Sequence, residues 1–166
     1  MSGTPQRETS LLRPSEPAET PDLLALAEGT GAFKPIEIQA LKEVLDDYHA
    51  RERANGHRCV TAWRDARPSG FAYWAPAAMT DRSWYLYWIA VRRDLQTLGL
   101  GARLLAACES DIRAAGGRLL LIETSGLPSY AATRRFYAGR GYEPPCVIPD
   151  FYADGDDMLV FRKRLS

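Results

Sequence analysis

The chain has 166 residues, with 21 basic and 21 acidic side chains and a formal net charge of zero, which fits one domain of ordinary size. With 46% hydrophobic and 25% charged residues it has soluble composition, and its scattered Lys and Arg argue against a nucleic-acid or anionic-lipid partner. Cys59, Cys108 and Cys146 lie far apart with no second Cys or His at metal-ligand spacing, so no metal is expected and a reducing, cytoplasmic setting is.

Residues 1–21 hold Pro5, Pro14, Pro17 and Pro21 among Ser, Thr and Glu and are expected to form a flexible lead-in to a single domain over 22–166. Arg7, Glu8 and Arg13 stand where a signal peptide needs its apolar stretch. No apolar run approaches the roughly 18 residues of a membrane span, so no membrane association is expected. From Pro35 to Tyr48 the residues Ile36, Ile38, Leu41, Val44, Leu45 and Tyr48 recur at helical spacing, and Pro35 suits a first turn. Asn55-Gly56 breaks that helix before a strand from Arg58 to Arg64. A turn over Arg67 to Gly70 leads to a second strand from Phe71, giving an antiparallel hairpin.

The segment Ser83 to Val91 is aromatic and β-branched throughout and predicts a central strand, apolar on both faces and covered by helices on each side. Leu98 to Ala115 carries Leu100, Leu104, Leu105, Cys108 and Ile112 along one stripe and ends at Gly116-Gly117, as a long amphipathic helix does. Arg118 to Thr124 is the next buried strand, so Val91 to Thr124 makes a strand-helix-strand unit with parallel strands. A helix from Tyr130 to Arg140 follows, and Met158 to Leu165 alternates as an edge strand.

The chemistry concentrates between the central strand and the long helix, in Gln96-Thr97-Leu98-Gly99-Leu100-Gly101-Ala102. Two glycines where a strand turns into a helix let backbone N–H groups approach an anion closely, and the helix dipole adds about half a positive charge. Arg92, Arg93 and Arg103 add charge if they point inward. A P-loop is excluded, because Ala102-Arg103 stands where Lys-Ser or Lys-Thr is required. The dinucleotide fingerprint fits poorly although Glu123 lies where a ribose-binding acid would: Leu104 occupies the third glycine position, and several residues separate Val91 from Gly99.

Gln96, Gly99 and Gly101 resemble the Gln-x-x-Gly-x-Gly signature of the GNAT superfamily of N-acetyltransferases. Trp88 to Val91 is similar to that family's bulged central strand, and Ala132 to Tyr142 to its late helix and turn, so the resemblance spans about half the chain, from about Trp84 onward. It implies an α/β (α+β) fold with a central mixed sheet, helices on both faces, and a bulged strand splayed from its parallel neighbour. It also implies acetyl-CoA as co-substrate, the pantetheine arm pairing with Ile89, Ala90 and Val91, and the pyrophosphate sitting on N–H groups from Gln96 to Ala102. A bulge supplies the unpaired amide groups this requires.

Tyr137 matches the tyrosine that in many relatives protonates the departing thiolate; its phenol is protonated at neutral pH, and the alternative role is packing. Relatives often carry an Asn seven residues earlier, where this chain has Tyr130, leaving Thr133 or Ser129 as the substitute contact with the coenzyme. Glu123, ending its strand beside the cleft, is the candidate base for the amine, with Asp150, Asp156 and Asp157 as alternatives. Tyr87 and Trp74 are candidates to line the acceptor pocket, and the acidic, aromatic stretch from Pro149 to Asp157 favours a cationic amine. The implied function is N-acetylation of a small-molecule or peptide amine in a ternary complex, with a homodimer permitted and a non-catalytic acyl-CoA-binding module as the alternative. An NAD-dependent oxidoreductase is the third reading.

Overall fold

The computed structural model describes residues 10–166. Its strands are β1 (Leu11–Pro14), β2 (Arg58–Arg64), β3 (Arg67–Pro76), β4 (Ser83–Val91), β5 (Leu119–Ser125), β6 (Cys146–Ala153) and β7 (Asp156–Arg164). Its α-helices are α1 (Thr20–Thr30), α2 (Pro35–Asp47), α3 (Leu100–Ala114) and α4 (Ala131–Ala138). All seven strands form one sheet in the order β1-β2-β3-β4-β5-β7-β6, and β4–β5 is the parallel pair. The expected mixed sheet with covered faces is therefore what forms.

Each face carries its own core. On one side α3 lays Leu100, Leu104, Leu105, Cys108 and Ile112 against Trp74, Leu86, Leu120 and Ile122 of the sheet. On the other, α1 and α2 bury Leu23, Ala27, Leu41 and Leu45 against Cys59, Phe71 and Tyr73. Full burial of one such leucine contributes about 1.5–3 kcal/mol. Gly116, at φ 76°, adopts the left-handed conformation that ends α3. Gly117 sits so close to Ile112 and Trp84 that a Cβ there would lie 2.3 Å from Ile112 Cγ2, which fixes how the end of α3 meets the start of β5.

Three expectations are corrected. The lead-in over residues 1–21 is structured where the structure describes it: β1 pairs with β2, and α1 begins at Thr20, while residues 1–9 lie outside the described residues. Polar contacts anchor this segment. Ser15 Oγ lies 2.7 Å from Thr61 Oγ1, Thr61 donates to Glu19 at 2.6 Å, and Arg13 pairs with Glu19 at 2.6 Å. Proline-rich, polar sequence hides such an anchor.

Second, β7 is interior, paired with β5 on one side and β6 on the other. The edge strand on this side of the sheet is β6, exposed along its length, and its missing alternation, interrupted by Pro149 and Asp150, concealed it. Third, the β2–β3 turn lies at Asp65-Ala66, both with positive φ (52° and 57°), the backbone of a two-residue hairpin turn. Arg67 to Gly70 belong to β3.

Candidate active site

The site begins with a register fault. Tyr73 pairs with Trp88 but Trp74 with Leu86, so Tyr87 is an extra residue in β4. A bulge of this kind bends its strand and leaves the ladder locally open. On its other edge β4 pairs with β5 only from Ser83↔Leu119 to Leu86↔Ile122. Beyond that point the two parallel strands part, and the backbone from Tyr87 to Val91 faces a slot instead of a neighbour.

The slot opens into a cavity of about 500 Å³. One wall is β4 from Tyr85 to Val91, with Gln96. The opposite wall is β5 from Ile122 to Ser125, with Tyr130, Thr133 and Tyr137. The α1–α2 connection and the start of α2 contribute Phe33, Lys34 and Glu37, and the β6–β7 hairpin contributes Tyr152 and Asp156. Tyr130 Oη donates to Ala32 O at 2.7 Å, so the residue standing where relatives often have Asn ties the α1–α2 connection across to the start of α4.

Of the residues singled out in the sequence, Ile89, Ala90, Val91, Gln96, Thr133, Tyr137 and Glu123 line the cavity together. Thr97, Leu98, Gly99, Leu100, Gly101 and Ala102 do not; they form the junction between the 3₁₀ turn Arg93–Leu98 and α3, next to Gln96. Gly99, at φ 77°, supplies the left-handed backbone from which α3 departs. The first intrahelical bond described there is Arg103 N–H to Gly99 O at 3.1 Å, so the N–H groups of Leu100, Gly101 and Ala102 open the helix without intrahelical partners. Leu100 itself is buried in the core, which aims the helix start. Gln96 Nε2 donates to Val91 O at 3.2 Å and ties the turn back to the end of β4.

Two of the three neighbouring arginines are otherwise engaged. Arg92 is paired with Asp94 at 2.7 Å, and Arg103 donates to Ser10 O at 2.6 Å. Trp74 is not in the cavity either: it is fully buried on the α3 face, its indole donating to Asp111 at 2.9 Å. Tyr87, exposed by the bulge, is in it.

Arg134 Nη1 donates to Ser125 O at 2.9 Å and Leu127 O at 2.8 Å, locking α4 to the end of β5. One turn on, Tyr137 is only 3% exposed, packed against Phe136, Tyr142 and Phe161 while touching the cavity. Burial, and secondarily the nearby Cys108 thiol, holds its phenol well above the ordinary tyrosine range, so it stays protonated. Glu123 opens onto the cavity, and desolvation by its walls raises its carboxyl above the usual carboxylate range. Phe33, Lys34 and Glu37 carry no motif that marks them as cavity residues; the tertiary fold brings the α1–α2 connection here.

A splayed parallel pair, a glycine-rich turn into a helix and a shared cavity make a specific combination. The model of the GNAT acetyltransferase domain matches residues 29–165. The chain belongs to the GNAT acetyltransferase family. A crystal structure of an acetyltransferase assigned to the GNAT family from Desulfovibrio desulfuricans is 36% identical, with a TM-score of 0.91 over 95% of this chain and 100% of that one. An acetyltransferase of Salmonella typhimurium, solved with its cofactor acetyl-CoA, superposes with a TM-score of 0.79 at 15% identity, covering 95% of each chain, and shares the fold. Among curated sequences, an N-acetyltransferase of Methanocaldococcus jannaschii is 30% identical over 77 residues, 46% of this chain and 48% of that protein. The chain thus matches about half the length of that curated relative.

Proposed function

We propose that this GNAT protein transfers an acetyl group from acetyl-CoA to a primary amine by direct attack within a ternary complex. The observation that carries the reading is the single cavity into which the slot between β4 and β5, Tyr137 and Glu123 all open. Unpaired amide groups of Ile89, Ala90 and Val91 suit an amide-rich pantetheine arm, and the start of α3 suits a pyrophosphate. Relatives solved with coenzyme A or acetyl-CoA support the same donor.

In this reading Glu123 takes a proton from the acceptor's ammonium, directly or through water, and its raised carboxyl pKa suits a base working nearer neutrality. The freed amine nitrogen bonds to the acetyl carbon and the carbon–sulfur bond breaks. Tyr137 donates its phenol proton to the departing sulfur, the nitrogen gives up its second proton as the amide forms and that proton restores the phenol through water, and Thr133 contacts the coenzyme. The second reading, an acyl-CoA-binding module without turnover, draws on the close packing of Tyr137 in its aromatic cluster. Coenzyme A release from acetyl-CoA, measured over a panel of amines for wild type and Tyr137→Phe, separates them. Transfer predicts turnover that collapses in the variant; acetyl-CoA binding without release from any amine supports the module.

A further inference from the structure

The acceptor end of the cavity carries more negative charge than deprotonating one amine requires. Among the described residues three carboxylates, Glu37, Glu123 and Asp156, face it against one ammonium, that of Lys34. Tyr152 stands among them: burial first, then the charges of Glu123, Asp156 and Glu37, push its phenol up to about 12. Its ring therefore stays neutral at a site where carboxylates and aromatic faces favour a cation.

Asp156 is the unusual member. It is 4% exposed, and its Oδ1 accepts from Ser125 Oγ at 2.5 Å. Its Oδ2 makes no hydrogen bond among the described residues and meets Lys34 Nζ only at 3.6 Å, with the lysine side chain 56% exposed. A carboxylate this buried needs a close, matched counter-charge, and a long mobile lysine beyond hydrogen-bond distance is a weak one. Glu123 and Ser125 lie two residues apart on one face of β5, so Ser125 holds Asp156 roughly 7 Å along the strand from Glu123.

We propose that the acceptor bears a second cationic nitrogen, and that this ammonium replaces Lys34 on Asp156 Oδ2 while the reacting amine lies at Glu123. The proposal rests on the transferase reading and adds a specificity-determining residue to it. The spacing selects 1,4-diaminobutane and 1,5-diaminopentane as probes, with 1-aminopentane as the singly charged control.

The test measures coenzyme A release, and calorimetric binding of each amine, for wild type, Asp156→Asn and Lys34→Met. The expected result is a diamine kcat/KM above that of the monoamine by roughly tenfold or more, falling to near parity in Asp156→Asn. Lys34→Met, at an exposed position, is expected to tighten diamine binding several-fold. Equal use of both amine classes by wild type, diamine binding unmoved by Asp156→Asn, or no binding of either diamine overturns the cation site and leaves acetyl transfer standing. Diamine binding that Asp156→Asn abolishes, with no coenzyme A released from any amine, supports the cation site and overturns transfer. Should Asp156→Asn fail to fold, Lys34→Met decides: unchanged or weaker diamine binding overturns the replacement.

Discussion

The two ends of the cavity are built from different materials. The proposed donor end is backbone: β4 beyond its bulge, which lines the cavity, and beside it the start of α3, seated on the buried side chains of Val91, Leu95, Leu100 and Leu104. The proposed acceptor end consists of side chains projected from the α1–α2 connection, from Glu123 of β5, and from a hairpin whose outer strand is exposed along its length. Backbone amides recognise amides and phosphates whichever side chains surround them, so in the proposed reading the donor end would bind a constant chemical group. Exposed side chains such as Lys34 and Tyr152 can be exchanged with little cost to the core, so in the proposed reading specificity is expected at the acceptor end.

Tyr137 stands where the ends meet, and its hydroxyl is the place to break the comparison. In Tyr137→Phe, kcat is expected to fall roughly 100- to 10,000-fold, the usual contribution of a positioned acid, while calorimetric affinity for acetyl-CoA is retained. A parallel loss of acetyl-CoA affinity would instead make Tyr137 part of the donor grip. Because burial holds the phenol far above neutrality, the pH profile below pH 9 should keep its shape in this variant.

The next effect tests the dependence of the donor end on the core. Leu104 is fully buried, and its Cδ1 would lie 3.1 Å from a Cβ at Gly70 of β3. Leu104→Ala should cost about 2–5 kcal/mol in denaturant unfolding, with acetyl-CoA affinity falling alongside. Tyr152→Ala, at a position 42% exposed, should raise the acceptor KM and leave the melting temperature nearly unchanged. A large stability loss in Tyr152→Ala would show that the acceptor end is as deeply rooted as the donor end.

Glu123 sharpens the contrast through pH. Its carboxyl is raised by desolvation, and only the deprotonated form accepts a proton. Activity should therefore fall as pH drops through this raised pKa, at higher pH than for an ordinary carboxylate. Glu123→Gln should remove that limb from the kcat/KM profile and lower the plateau by about 100-fold, the lower end of a positioned base's contribution. Persistence of the limb would assign it to another group.

The asymmetry between the ends also governs what the sequence could disclose. The turn at Gln96, Gly99 and Gly101 was legible as a strand-to-helix junction because of its glycines, and the strands and helix around it follow from local periodicity. That β4 is bulged was legible only through family resemblance, read on Trp88 to Val91, and its place at Tyr87 was not, since one extra residue in a ladder leaves no periodic trace. Lys34 and Asp156 were not legible as a pair: they are 122 positions apart, and their meeting depends on β7 lying inside the sheet and on β6, which lacks alternation. Nor was α1, whose lead-in is anchored by Ser15, Thr61 and Glu19 instead of an apolar stripe.

Gln96 provides the smallest test. Its amide joins the turn to the end of β4 through the 3.2 Å bond to Val91 O. Losing a neutral hydrogen bond of this kind costs about 0.5–1.5 kcal/mol, so Gln96→Ala should weaken acetyl-CoA binding by up to roughly tenfold. If the turn serves as part of a preformed backbone site, the loss should appear in acetyl-CoA affinity and not in the acceptor KM, because loosening the turn disperses the N–H groups of Leu100, Gly101 and Ala102 without touching the β6–β7 hairpin. A rise in the acceptor KM of equal size would mean that the two ends share one rigid frame, and the division drawn between a backbone-built donor end and a side-chain-built acceptor end would fail at the residue that connects them.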